Sequence, residues 1–448
     1  MLQINSLKAV DLEKKFRKLS YPMVTEMLFQ NLFNLVDTFF VSKVGYAAIA
    51  AVTSSAILLM LFMAIGFGIS ASSGSLIAIE KGKGDNSKIS YILYDALLLA
   101  LIIALITVAF SNQLAQFLPY MLGLKEKSYS MAHIYLKINF YGMPLFFVLP
   151  IINSALRSIG EPSKALKIII LSNIVNLILD PVLILGLGII TPMGVKGAAI
   201  STVIARMFGV SLQIYFIRKR FIKLSILQYK KSVGQFTTKI IKGAIPAAMH
   251  LIWRISSMLA AVKIVSIFGS KPLAAFGIVI RSFQVILFPT FGLGNAAFVL
   301  TGQSFGAKRF DLLKKSVVVA LKYETAFVAT ASFIYLIFAP YIIGIFSNDA
   351  EIITSGSFFM RLQAISYPAA GATVIFSRIF MGTGDTLTPS IVNLVNLFFF
   401  MIPLAYILSV TMSYGANGVW MAIPISNLTG CAALFLLYKT RISQWMQQ

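Results

Sequence analysis

Apolar residues in this chain come in long runs, cut by short polar stretches rich in glycine and lysine. A helix that crosses a bilayer needs about 20 predominantly apolar residues. Cutting the runs at these loop signals predicts twelve helices, near 20–43, 47–79, 88–112, 128–158, 164–189, 195–217, 239–268, 272–304, 313–346, 353–382, 387–411 and 417–438. Several exceed what a bilayer requires, which implies tilt or extension into the cytoplasm. Composition fits: 58% of the 448 residues are hydrophobic and 12% charged, against about 25% charged in soluble domains. The expected fold is an all-α polytopic membrane protein.

Charge orients it. The formal net charge is +23. One set of loops holds Lys8, Lys14, Lys15, Arg17, Lys18, Lys81, Lys83, Lys88, Lys164, Lys167, the stretch from Arg218 to Lys242, Lys308, Arg309, Lys314, Lys315, Lys439 and Arg441. The opposite set holds only Lys43, Lys125, Lys127, Lys196 and Lys271. The richer side is cytoplasmic by the positive-inside rule, so both termini are expected inside a cell (inner or plasma) membrane. Loop placement explains the basic excess without nucleic acid. One cysteine, Cys431, and two histidines, His133 and His250, leave no disulfide within the chain and no Cys- or His-rich metal centre. The N-terminus lacks the apolar core of a signal peptide and reads as an amphipathic lead-in whose lysines meet lipid headgroups.

The halves repeat at an offset near 224. Pro22 matches Pro246, Gly45 matches Gly269, Ala50-Ala51 match Ala274-Ala275, Gly82 matches Gly306, Pro144 matches Pro368 and Gly160 matches Gly384. After a small deletion, 172–176 matches 392–396 and 194–197 matches 415–418. Six spans per copy give both copies the same orientation, hence two pseudo-symmetric six-helix lobes, 1–217 and 243–448, joined by a cytoplasmic linker, 218–242.

Two carboxyls sit mid-span, Asp37 in NLFNLVDTFFV and Asp180 in SNIVNLILDPVLILG. Each costs about 2.5–3.5 kcal/mol to insert even on a lenient scale. The repeat sets Ala261 opposite Asp37 and Phe400 opposite Asp180. A carboxylate needed by the scaffold would recur in both copies, so these two point to function. Asn176 and Asp180 are i and i+4 and share a helix face. Pro181 removes an amide donor and should break the span, freeing carbonyls beside the acid. Hard oxygens of this kind suit an alkali cation, and two adjacent acids could instead share one proton. Against this stands a bland reading in which Asp180 merely bonds a neighbouring helix. Pro22 reads equally as a bend or as a helix-start proline, and Glu26 as a water-facing residue at the inner end of the first span.

His250, Arg254, Ser257 and Ala261 share one face of the seventh span. Arg254 lies about 18 Å beyond Lys242, too deep to snorkel easily. The face is either a basic substrate-cavity wall, or Arg254 pairs with Glu324 or Asp95 or sits in a water-filled cavity. Gly66, Gly68, Gly292 and Gly294 read as close helix contacts.

QNLFNLVDTFFVSKVG, AIAAV, AIGFGISASSGSLIA, ALRSIGEP, NIVNLILDP and GVKGAAIST, in this order, resemble the multidrug and toxic compound extrusion (MATE) family, and its DinF-like branch in placing acids in the first and fifth spans. The resemblance implies a secondary antiporter, not an enzyme. It would export small organic compounds, cationic or amphiphilic, in exchange for H⁺ or Na⁺, acting as a monomer in the lipid bilayer with no cofactor beyond the coupling ion. It also implies a cation or proton site of Asp37, Asn176 and Asp180, supported by Asn153, Tyr135 and a hydroxyl from Thr202 or Ser201, although a constant register lands on Ala198. The alternatives from the same superfamily are a lipid-linked oligosaccharide flippase or an organic-anion exporter.

Overall fold

The computed structural model describes residues 11–186, 190–220 and 234–446, without the side chains of 33–35 and 218–220. Helices in chain order are α1 (Asp11–Ser42), α2 (Tyr46–Lys83), α3 (Asn86–Ala109), α4 (Ser111–Met121), α5 (Glu126–Tyr141), α6 (Met143–Ser158), α7 (Pro162–Gly186) and α8 (Val195–Arg220). After them come α9 (Thr237–Ser266), α10 (Ser270–Gly306), α11 (Phe310–Gly344), α12 (Ala350–Gly382), α13 (Leu387–Thr411) and α14 (Ala416–Met446). Among the described residues ten of these are long and apolar enough to cross a membrane, and the pair α5–α6 makes an eleventh span. With the 32-residue α1 the fold is the expected twelve-span, two-lobe one.

Two elements differ from the sequence reading. The fourth span, read as one helix over 128–158, is bent by 53° between α5 and α6. Gly142 caps α5 and Pro144 follows in the first turn of α6; proline has no amide hydrogen to continue the ladder. Within 112–128, read as a loop, the 11-residue α4 buries Ser111, Ala115 and Pro119 and exposes Phe117, Tyr120 and Met121. Such two-faced helices lie in the membrane interface. At the opposite kind of loop, Asp85 caps α3 by accepting from the Ser87 amide at 3.2 Å. Hydrogen bonds from Ser87, then Lys88, hold its carboxyl down at about 2.

Packing divides the chain into two units, Thr25–Ala248 on the one hand and Met1–Val24 with Met249–Gln448 on the other. Each boundary falls inside a helix, α1 or α9, two residues after its internal proline, Pro22 or Pro246. Pro22 is therefore not a helix-start residue. The expected linker 218–242 is shortened, since α9 begins at Thr237; its stretch 221–233 lies outside the described residues.

In the unit that contains 249–446, Leu12, Phe16, Leu19 and Met23 form the buried stripe of α1. Phe16 stacks on Tyr323 at 5.7 Å, and Lys15 donates to Gln303 at 3.4 Å. A Cβ on Gly292 would meet Val24 Cα at 2.5 Å. In the other unit, a Cβ on Gly68 would meet Ala248 Cβ at 2.9 Å. Gly68 and Gly292 are repeat mates, as are Val24 and Ala248. Both glycines let a crossing helix approach to backbone distance.

Candidate functional site

Asp180 is the last α-helical residue of α7, and Pro181 opens a π-helical turn, Pro181–Gly186. The break expected from the proline is there. Asp180 is fully buried. Its Oδ1 accepts from Asn176 Nδ2 at 3.0 Å and from the Ser201 hydroxyl of α8. Asn176 Nδ2 also reaches Ser201 Oγ at 3.3 Å. Thr202 points elsewhere, donating to the Ala198 carbonyl at 2.9 Å, so Ser201 supplies the hydroxyl at Asp180.

Asp37 of α1 lies close enough to Asp180 for their charges to interact, and so does Tyr135 of α5 with both acids. Asp37 Oδ1, Asp180 Oδ2 and Asn176 Oδ1 are buried without a hydrogen-bond partner. Orphaned buried acceptors are rare and call for a bound species. Two carboxyls and an amide oxygen can take a proton on either acid or gather around a hard cation. Asn153 is held by Gln213 of α8, whose Nε2 donates to Asn153 Oδ1 at 2.8 Å and to the Leu149 carbonyl at 2.9 Å.

Arg206 of α8 was overlooked in the sequence. Its guanidinium lies 4.1 Å from the centroid of Phe146 and within electrostatic reach of Asp37 and Tyr135. Thr202 and Arg206 are i and i+4, so the spacing in ISTVIARMF already placed a cation on the site's flank. Glu26 also differs from expectation. It is fully buried rather than water-facing, paired with Arg157 of α6 at 2.6 Å.

In the other lobe, His250 Nδ1 donates to the Pro389 carbonyl at 3.2 Å, and Asn393 Nδ2 lies 3.3 Å from Nε2. Both ring nitrogens face groups of α13, Asn393 Nδ2 lying also 3.1 Å from Nδ1. Arg254 remains. Its guanidinium sits 5.2 Å from the centre of the Phe291 ring, and that of Arg378, from α12, sits 5.7 Å from the same ring. Neither acid considered as a partner pairs with Arg254 among the described residues, although Glu324 Oε1 is buried without a hydrogen-bond partner. Asp95 accepts from the amides of Gly234 at 3.0 Å and Phe236 at 2.8 Å, and Glu324 packs on Gly371 and accepts from Thr325 at 3.2 Å.

The profile of the MatE family matches residues 22–182 and again 246–407, once on each copy of the repeat. The chain belongs to the MatE family. A FAD transporter of Shewanella oneidensis is 29% identical over 91% of this chain and 90% of its own length. The multidrug export protein MepA of Staphylococcus saprophyticus is 25% identical over 94% of this chain and 92% of its own. Among solved structures, a MOP superfamily transporter of Pyrococcus furiosus, described as having a binding pocket of reversed polarity, superposes with a TM-score of 0.89 at 23% identity, covering 98% of this chain and 99% of that one. At that identity the likeness speaks for the fold. As a MatE member the chain is a multi-pass membrane transporter, and related proteins carry names of multidrug export.

Proposed function

We propose that this MatE member is a secondary antiporter that exports organic compounds, with Asp37 and Asp180 as the paired acids that take up H⁺ or Na⁺. The observation that carries the proposal is the trio of orphaned oxygens on Asp37, Asn176 and Asp180, buried in a lobe whose repeat mate has no acid at the two aspartate positions. Ion entry would satisfy them and release the Asn176 and Ser201 contacts for rearrangement. One charge moved through 100 mV supplies about 2.3 kcal/mol, enough for an approximately forty-fold substrate gradient. Tyr135 and Arg206 flank the pair. In this reading the protein works as a monomer in the plasma membrane with both termini in the cytoplasm.

The test is transport in proteoliposomes with pH and Na⁺ gradients imposed separately, comparing one cationic and one anionic dye. Uptake driven by neither gradient, or unchanged by Asp37→Asn, would sink the coupling role. For the substrate, cationic or amphiphilic compounds are the family expectation. The pair Arg254 and Arg378 favours the organic-anion reading, and the FAD transporter of Shewanella oneidensis, named for an anionic flavin, points the same way.

A further inference from the structure

We infer that Glu324 of α11 is a proton-binding site in the second lobe, reached along a polar track between α11 and α12. The inference goes beyond the coupling reading, which places the ion on Asp37 and Asp180 of the other lobe. It adds a separate carboxyl that gains and loses a proton.

Glu324 lies about 21 Å along α11 from its first residue and is fully buried. Its Oε2 accepts from Thr325 at 3.2 Å, while its Oε1 has no hydrogen-bond partner and rests on Gly371 of α12. A Cβ on Gly371 would come within 2.8 Å of Glu324 Cδ, so the missing side chain is what admits the carboxyl. The surroundings supply no countercharge. On α12, Arg378 lies two turns beyond Gly371, at the Phe291 ring. From α14 the facing titratable group is Cys431, close enough to feel the carboxyl's charge. Lys322 and Tyr323, on its own helix, turn to Glu13 of α1. On α10, Arg281 is exposed and Lys271 is held by Asp349 and Glu351. An isolated buried carboxylate requires compensation. A metal ion takes about six oxygens or more, and among the described residues no cluster of three or more His, Cys, Asp or Glu is placed to hold one. A proton needs a single oxygen, and Oε1 is that oxygen.

The repeat shows what was exchanged. The mates of Glu324 and Gly371 are Ala100 and Phe147, both fully buried in one apolar core. A small residue and a ring have become a carboxyl and a bare backbone, at similar total volume, which a packed core tolerates best. The same two helices carry further orphaned groups. Ser332 Oγ of α11, with Ser357 Oγ, Gln363 Nε2 and Tyr367 Oη of α12, are buried without a hydrogen-bond partner. Tyr367 packs in one cluster with Val328, its ring 6.1 Å from that of Tyr335. With Gly371 at Glu324 and Tyr367 at Val328, the antiparallel register brings Gln363 level with Ser332. Orphans of this kind are the groups that buried water satisfies. The series runs from Ser357, near the start of α12, to Glu324. It opens the carboxyl toward the side where α11 passes into α12, the outer side by loop charge.

The experiment is infrared difference spectroscopy of the full-length protein in phosphatidylcholine nanodiscs, titrated with pH, with and without an isotope label on the side-chain carboxyls of glutamate. The label separates glutamate from the two aspartates without any substitution. The expected result is a label-sensitive band of a protonated carboxyl, at the high frequency of a buried acid, that grows as pH falls and shifts in heavy water. Glu324→Gln should remove it. Glu324→Asp keeps a carboxyl in place and should also remove the labelled band, so the outcome does not hang on the folding of one variant. Ser332→Val, which closes the track, should slow the exchange of the band's proton with heavy water. Absence of the band in the wild-type protein, a band unchanged at every pH, or a band that survives both Glu324 variants would overturn the inference. Exchange as fast in Ser332→Val as in the wild type would overturn the route between α11 and α12. Neither gradient nor substrate is present, so proton binding at Glu324 can fail while coupling at Asp37 and Asp180 stands, or stand while that coupling fails.

Discussion

Where the first lobe has Asp37 and Asp180, the second has Ala261 and Phe400; where the second has Arg254 and Arg378, the first has Gln30 and Ser154. One contact is kept on both sides. Asn176 and its mate Asn396 both point their amides at serines of the last helix of their lobe, Ser201 and Ser426. Asn396 is fully occupied, with Thr429 donating to its Oδ1 at 2.8 Å, whereas Asn176 Oδ1 is orphaned beside an acid. One scaffold has therefore diverged, with buried orphaned acceptors around two acids in one copy and two guanidiniums at the Phe291 ring in the other. Duplication alone would have produced two equivalent sites.

The most severe way to break this contrast is to neutralise the acids. Asp37→Asn and Asp180→Asn are each expected to abolish gradient-driven export in proteoliposomes while leaving insertion intact. A small polar change at the equivalent C-lobe position, Ala261→Ser, should leave ion dependence as it was. Second comes the buried pair Glu26–Arg157, whose repeat mates are His250 and Met381. Arg157→Met strands the Glu26 carboxylate and should cost about 3–5 kcal/mol of stability. The double variant with Glu26→Gln should recover much of this in thermal unfolding, and failure to recover would mean that the pair does not explain the loss. A smaller effect is expected at the paired glycines. Gly68→Ala and Gly292→Ala each force a methyl onto the backbone or side chain of a crossing helix and should cost about 1–3 kcal/mol, by similar amounts if the two crossings are equivalent. Smallest is the hydroxyl test. Ser201→Ala removes one contact to Asp180 and should weaken ion dependence about tenfold. Thr202→Ala should leave it unchanged, and the reverse ranking would return the role to Thr202.

Most of the fold was legible because insertion into lipid makes hydropathy and loop charge decisive. The repeat was legible because prolines and close-contact glycines such as Pro22, Pro246, Gly68 and Gly292 tolerate little change. Asp37 and Asp180 stood out by the cost of a carboxyl in an apolar run, and Asn176 by helical spacing. What escaped were features set by packing between distant segments. Glu26 looked solvated until Arg157, 131 positions away, was brought to it. Thr202 and Ser201 differ by about 100° around α8, and only the placement of α7 chooses between them. Arg206 and Arg378 each had a local signal, a cation within an apolar run, and comparison of Arg378 with Ser154 across the repeat would have exposed the change of charge. The bend at Gly142 was readable from Gly-Met-Pro but was masked by the length of the run.

The exchange at Val24 and Ala248 bears on how such a chain is made. As synthesis proceeds from the N-terminus, the segment up to Val24 emerges first, yet the helices it packs among are encoded after residue 248. The first lobe likewise lacks the start of α9, which faces Gly68, until the ribosome has passed the midpoint. The first lobe is not a finished object when its own six spans have been inserted. Each is completed by a piece of its sibling, so a ribosome that stalls after the first half leaves the first lobe without the start of α9, and the segment up to Val24 without the helices it packs among.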